Sequence, residues 1–334
     1  MKVAVIGAGN WGTALAKLLA EKDFSVILWA REPQVAEAIR ARHENPSFLQ
    51  GVQLPETLDA TADLAEAVSG RDFVLFVAPS HFMREVMQQA APHLAPDALV
   101  ASAAKGIENN TLLTMSGVMA EVFPPEIAGR MVVVSGPSFA REVALKMPTA
   151  ISVASRDPKA AETVQLALAT DYLRVYTTND VIGVELGGAV KNVIAIATGI
   201  SDGMGFGTNT RAALITRGLA EIARLGVKMG ANLMTFAGLT GLGDLVLTCT
   251  GDLSRNRQVG LALGQGKKLK EVLAEMTMVA EGVRNAETVY QLSQKMQVEM
   301  PITEQVYLML YADKAPALAL ATLMGRRLKS ETNL

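Results

Sequence analysis

One charge interrupts an apolar run in this chain. Lys191 lies in Gly187-Gly188-Ala189-Val190-Lys191-Asn192-Val193-Ile194, which reads as a helix with little other polarity. A lysine on a buried helix loses hydration, which disfavours its charged form and suits it to pass a proton to a reacting oxygen. Gly187 and Gly188 weaken a helix interior, so they fit a place where another backbone or a ligand comes close. The plainer reading is a structural pairing of the ammonium with a carboxylate such as Glu185 or Asp244. Asp244 follows Leu239-Thr240-Gly241-Leu242-Gly243, read as a glycine-flanked apolar loop. Buried carboxylates are seldom unpaired, so Asp244 is expected to meet a cation or a substrate hydroxyl.

Three further segments could hold an anion or a carbonyl. Ser254-Arg255-Asn256-Arg257 opens a helical run. Ser254 is a plausible N-cap, and Arg255 with Asn256 adds donors to a helix N-terminus that already favours negative charge. Arg255 is preferred to Arg257 because it lies nearer the cap; the alternative is a solvated helix start. Lys105 follows the apolar run Leu99–Ala104 and precedes Gly106, which places an ammonium at a strand's carboxyl end. Ser135-Gly136-Pro137-Ser138-Phe139-Ala140 ends another strand. There Gly136 permits close backbone approach and Ser138 offers a hydroxyl or an N-cap, although an ordinary βα turn fits the spacing equally well.

The first twelve residues carry a second kind of chemistry. Val3–Ile6 feeds Gly7-Ala8-Gly9-Asn10-Trp11-Gly12, followed by the helix-like run Thr13–Lys22. A strand running through G-x-G-x-x-G into a helix is the dinucleotide-binding arrangement. Gly7 permits the tight turn, Gly9 lets the backbone approach a pyrophosphate, and Gly12 lets helix and strand pack closely. The residue that reads the adenosine ribose follows the second strand. Here Val26–Ala30 delivers Arg31, with Glu32 one step beyond. Arg31 favours NADP(H), because a cation accommodates the 2′-phosphate, while Glu32 keeps NAD(H) open.

These residues need elements to position them. Up to about residue 178, short apolar runs alternate with helical stretches: Lys2–Ile6, Ser25–Trp29, Phe73–Ala78, Leu99–Ala104, Met131–Ser135, Ala150–Ala154 and Leu173–Tyr176. That alternation predicts a mostly parallel sheet covered on both faces. Beyond residue 180 the periodicity is helical, as in Val184–Ile200, Arg211–Met229, Arg257–Leu263, Val283–Lys295 and Thr303–Leu310. The expected fold is therefore α/β, with a Rossmann-type domain at 1–179 and an all-α domain at 180–334.

Composition narrows the function further. Of 334 residues, half are hydrophobic and 19% charged, which argues against disorder. A net charge of −2 supplies no basic field to recruit nucleic acid or an anionic membrane. The single cysteine, Cys249, excludes an internal disulfide framework and fits a reducing, cytoplasmic compartment. It is also an unpromising nucleophile, with no histidine nearby in sequence. His43, His81 and His93 lack metal-ligand spacing, so no metal site is expected. No basic segment with an apolar core precedes Val3, so no signal peptide is expected. Val181–Ile200 contains Glu185 and Lys191, which makes it too polar to span a bilayer.

Together these segments closely resemble the bacterial NAD(P)-dependent glycerol-3-phosphate dehydrogenases over essentially the whole chain. The likeness rests on the glycine turn, Ala103-Ala104-Lys105-Gly106, Ser135–Ala140, Glu185–Asn192, Gly241-Leu242-Gly243-Asp244 and Ser254-Arg255-Asn256. It implies reversible reduction of dihydroxyacetone phosphate to sn-glycerol 3-phosphate, the backbone precursor of phospholipids. By the same resemblance Gly7, Gly9, Asn10, Trp11, Gly12, Arg31, Lys105, Ala140, Arg255, Val279 and Glu281 belong to the cofactor site. Lys105, Gly136, Ser138, Lys191, Asp244, Ser254, Arg255 and Asn256 would meet the substrate, with Lys191 as proton donor and acceptor. NADP(H) is the favoured cofactor and NAD(H) the alternative, because some members carry histidine where this chain has Arg31. The implied partner is a small phosphorylated triose, with a homodimer as the assembly the family suggests. A 3-hydroxyacid dehydrogenase would share the plan but needs a carboxylate pocket in place of a phosphate pocket.

Overall fold

The seven apolar runs in the first 178 residues become seven of the eight strands of one sheet, in a chain with ten strands in all among the described residues. The strands are β1 (Lys2–Ile6), β2 (Ser25–Trp29), β3 (Glu44–Asn45), β4 (Leu49–Gln53), β5 (Asp59–Thr61), β6 (Phe73–Phe76), β7 (Leu99–Ser102), β8 (Val132–Ser135), β9 (Thr149–Ala154) and β10 (Leu173–Thr178). The sheet runs β10-β9-β8-β7-β6-β1-β2-β5, while β3 and β4 pair apart as a short antiparallel ribbon. The six strands from β8 to β5 are parallel. β9 pairs antiparallel with β8 and parallel with β10, so the last two run against the others.

The computed structural model describes residues 1–276, 280–328 and 330–331. Its chain divides into two compact units, Met1–Lys105 with Leu113–Val184, and Gly106–Leu112 with Glu185–Leu334.

In the first unit the sheet is buried on both faces. Val3 and Val5 join one apolar core, and Ala4 and Ile6 join the other, as the two-residue period of a strand requires. The strand order reverses at β1, which has β2 on one side and β6 on the other. In open α/β sheets this reversal is where ligands gather, beyond the carboxyl ends of the strands. Strands β3, β4 and β5 have no counterpart among the expected runs. They are short and largely polar, with Leu49 and Val52 the buried apolar positions of β4, and so carry no continuous apolar signature.

The second unit is helical among the described residues. Its longest element, Val181–Gly203, is long and apolar enough to cross a membrane despite Glu185 and Lys191, so composition does not exclude a span as expected; burial of 94% of its 18-residue apolar window within the fold marks it as a core helix. Val181–Val184 count with the first unit. The helix Thr208–Lys228 contributes Glu221, a buried carboxylate that caps a different helix, Pro301–Tyr311. It accepts from the backbone N–H of Ile302 at 2.6 Å and from the N–H and hydroxyl of Thr303, both at 3.1 Å. Burial pushes the Glu221 carboxyl up to about 7, against the opposing pull of these hydrogen bonds and of Arg224.

Candidate active site

The glycine turn of the first unit separates glycines that the fold demands from one that it does not. Gly7 has a φ of +123°, and a Cβ there would lie 2.8 Å from the backbone nitrogen of Ala78, just beyond β6. A Cβ on Gly12 would overlap the carbonyl oxygen of Gly7. Gly9 is different: its φ of −67° suits any residue, and a Cβ would meet nothing within 4 Å. The helix Asn10–Ala20 begins beside that open space, with Gly9 as its N-cap, three residues earlier than the expected Thr13. Gly12 therefore sits inside the first turn of the helix. Free N–H groups facing a space kept clear of side chains fit a pyrophosphate. Next to it the indole Nε1 of Trp11 is buried without a hydrogen-bond partner among the described residues.

Arg31 follows β2 and is exposed. Its guanidinium stands 4.9 Å from the ring centroid of Phe82, in the short turn Ser80–Phe82 after β6. The stacking holds the cation at the switch point of the sheet. Glu32 occupies the N-cap position of the helix Pro33–Arg42.

At the carboxyl ends of β7 and β8 the carbonyl of Gly136 gathers two donors, Lys105 Nζ at 2.8 Å and the Ser138 hydroxyl at 3.0 Å. Gly136 has a φ of +141°, and a Cβ would lie 2.9 Å from Cα of Ile151. Ser138 does not cap a helix. The cap of Ala140–Ala144 is Phe139, and Ser138 turns back to its own loop, as short hydroxyl side chains do. Ala140 is the first helical residue there.

In the second unit the expected apolar loop before Asp244 is helical. Leu239–Gly243 forms a π-helical turn that runs into the helix Asp244–Thr250, so Asp244 lies in a first helical turn. Glycines make this turn possible by close approach. A Cβ on Gly241 would overlap the backbone of Phe236, and one on Gly187 would overlap the carbonyl of Thr240. Gly187 and Thr240 lie one turn before Lys191 and Asp244 respectively. The backbone contact at one level thus brings the two charges together at the next. Lys191 Nζ donates to Asp244 Oδ1 at 2.7 Å and to the Thr248 hydroxyl at 2.6 Å. The Thr248 hydroxyl in turn donates to the carbonyl of Asp244 at 2.6 Å. The side chains of Lys191 and Asp244 are 8% and 1% exposed. The carboxylate compensates for the hydration that the ammonium has lost. The structural pairing considered for Lys191 is thus present, and Asp244 is the carboxylate that makes it.

Ser254 caps the helix Arg255–Gly264, accepting from the N–H of Arg257 at 3.3 Å. Arg257 is committed, with its guanidinium on Asp202 and Asp252. Arg255 makes no hydrogen bond or ion pair among the described residues, and burial lowers its guanidinium from the usual range against the opposing charge of Glu281. It remains charged, since arginine does not deprotonate in proteins. Asn256 is a frame member: its Nδ2 donates to Asn192 Oδ1 and its Oδ1 accepts from the N–H of Gly282, both at 2.9 Å. That bond seats the helix Glu281–Met296, whose first residue is Glu281. Val279 lies outside the described residues.

Thr248 and Asn192 were not singled out by residue type. Thr248 could have been found as the residue one turn after Asp244. Asn192 could have been found as a buried amide that must have partners. Cys249 is buried and its thiol is pushed up to about 12 by that burial, which leaves it inert at neutral pH. Among the described residues no group of three or more His, Cys, Asp or Glu could hold a metal ion.

Residues 2–161 match the model for the N-terminal part of NAD-dependent glycerol-3-phosphate dehydrogenase, and residues 180–321 match that for its C-terminal part. The glycerol-3-phosphate dehydrogenase [NAD(P)+] of Citrifermentans bemidjiense is 58% identical over 99% of this chain and 98% of its own. That of Geobacter sulfurreducens shows the same identity and coverage. The crystal structure of the Coxiella burnetii glycerol-3-phosphate dehydrogenase superposes with a TM-score of 0.92 at 42% identity, covering 97% of this chain and 99% of that one. The two halves of the match, the sheet order and the near-complete coverage agree: this chain belongs to the family of NAD-dependent glycerol-3-phosphate dehydrogenases.

Proposed function

We propose that this chain interconverts dihydroxyacetone phosphate and sn-glycerol 3-phosphate with NAD(P)(H), and that the glycerol phosphate serves phospholipid synthesis. The observation that carries the reading is the buried Lys191–Asp244 pair, beside Asn192, whose side-chain oxygen accepts from Asn256 of the Ser254–Asn256 turn. A proton donor and an anion-holding turn on one frame are what a phosphorylated ketone needs.

The turn around Gly9 accepts the coenzyme's pyrophosphate on the N-terminus of the helix Asn10–Ala20, with Asn10 and Trp11 beside it. A coenzyme held by these residues would supply hydride for reduction of the carbonyl. As the carbonyl carbon is reduced, negative charge grows on its oxygen, and the Lys191 ammonium stabilises the charge and gives up a proton from Nζ. Asp244 and Thr248 hold Nζ in place throughout. In the reverse direction the neutral amine accepts the hydroxyl proton. Arg255 and the uncapped N–H groups of the helix turn that Ser254 begins hold the phosphate, and that remote binding energy orients the reacting end. Lys105 contributes a further positive charge at the carboxyl ends of the first unit's strands, beside Gly136 and Ser138. Arg31, stacked on Phe82, favours NADPH over NADH by meeting the 2′-phosphate.

The test is a reduction assay with dihydroxyacetone phosphate that follows NADPH and NADH oxidation separately, run beside a non-phosphorylated 3-keto acid. Turnover of the phosphorylated ketone alone supports the reading. Turnover of the keto acid in its place overturns it.

A further inference from the structure

The helix that carries Lys191 and the helix that carries Arg255 touch backbone to backbone. On Val181–Gly203 the contact face is Gly199 and Gly203, four residues apart; on Arg255–Gly264 it is Gly260 and Gly264, also four apart. A Cβ on Gly199 would overlap the carbonyl of Arg257, and one on Gly203 that of Leu261. Conversely, a Cβ on Gly260 would overlap the carbonyl of Ile196, and one on Gly264 that of Ile200. Each helix thus gives up side chains so that the other's backbone can enter. Gly199 and Gly260 lie inside their helices, where glycine is destabilising by roughly 0.5–1 kcal/mol relative to alanine, so they are not a stability device.

Polar contacts from the first turn of the helix Arg255–Gly264 grip the Lys191 helix at two levels. Asn256 bonds Asn192, the residue after Lys191. Nearer that helix's carboxyl end the Asp202 carboxylate, 6% exposed, accepts from Arg257 Nε at 3.0 Å and pairs with its Nη2 at 2.9 Å. Its second oxygen accepts from Arg211 through Nε at 3.0 Å and Nη2 at 2.8 Å. A carboxylate removed from water is expensive to keep, and buried ionic groups define geometry better than they stabilise. Arg257 is two residues beyond Arg255, and its own N–H donates to the capping hydroxyl of Ser254. Holding its side chain therefore fixes the turn that precedes it and leaves Arg255 for the ligand.

We propose that Asp202 and Arg257 are positioning residues of the reaction, which lock the Ser254–Asn256 turn onto the Lys191 helix so that phosphate and carbonyl are held at one fixed spacing. The proposal rests on the reading of Lys191 as proton donor and of that turn as the phosphate holder. An error of about 1 Å in such a spacing is enough to lower rate about a hundredfold.

The experiment measures kcat/KM for dihydroxyacetone phosphate and for unphosphorylated dihydroxyacetone in wild type, Asp202→Asn and Arg257→Lys, with Tm recorded for each. The ratio of the two kcat/KM values reports how much the phosphate helps. It is expected to fall at least about tenfold in both variants, as it should also in Arg255→Ala, which removes a phosphate contact outright. A merely structural role would lower both substrates together and leave the ratio in place, and that result overturns the proposal. If Asp202→Asn fails to fold, Arg257→Lys, which keeps a cation beside Asp202, carries the same test. A wild-type enzyme with no preference for the phosphorylated ketone would overturn the functional reading itself, and the inference with it.

Discussion

Lys191 Nζ lies 2.7 Å from Asp244 Oδ1, two residues 53 apart in sequence and both buried in the helical unit. Removing two charges from water is costly, and such a pair is weak support for stability. Its value is in placement: Thr248 and Asp244 together leave Nζ little freedom to turn, so its proton points where the fold directs it.

Gly9 is a glycine that the fold itself does not require. Gly9→Ala should leave stability within about 1 kcal/mol, since φ is ordinary and the space is open, while a methyl group enters the anion cradle. Coenzyme affinity should fall at least about tenfold, or about 1.4 kcal/mol. Titrating coenzyme against intrinsic fluorescence, beside a melting curve, checks both halves. A large loss of Tm with affinity retained would mean that Gly9 serves the fold.

Arg31→Ala should weaken NADPH binding about tenfold more than NADH binding, the scale of one charge-assisted hydrogen bond. Equal losses for the two coenzymes would remove the 2′-phosphate from Arg31. The stacking partner gives a second check, because Phe82→Leu should shift the same ratio in the same direction by releasing the guanidinium.

Glu221 links stability to pH. Its carboxyl titrates near 7 in the folded protein and near 4.5 when unfolded, so between those values the folded state holds the extra proton. Stability from this group is complete below about 4.5 and is lost as pH rises through about 7. Glu221→Gln should flatten that part of the curve of Tm against pH. Parallel curves for wild type and variant across the interval would contradict the assignment.

Much of this was legible from residue types. Gly7 and Gly12 announced a strand, a tight turn and a helix, and the apolar runs of β1, β2, β6, β7, β8, β9 and β10 announced the sheet. The short polar strands β3 to β5 were not legible, because their order comes from partners and not from their own apolar content. Lys191 and Asp244 were each conspicuous, yet spacing could not choose between Glu185 and Asp244 as partner. The close approach of Gly187 to Thr240 is what brings Asp244 to Lys191. A second close approach, Gly241 to the backbone of Phe236, goes with the π-helical turn where a loop was expected: tertiary packing overrode local preference. Thr248 had no signal of its own, since its part depends on standing one turn above Asp244.

The most direct measurement is the turnover of Lys191→Ala on dihydroxyacetone phosphate with saturating NADPH, with coenzyme affinity measured on the same preparation. The account predicts that kcat falls by ~10² or more, the scale of general acid–base catalysis, while the coenzyme binds as in wild type. Near-normal turnover in that variant would contradict it.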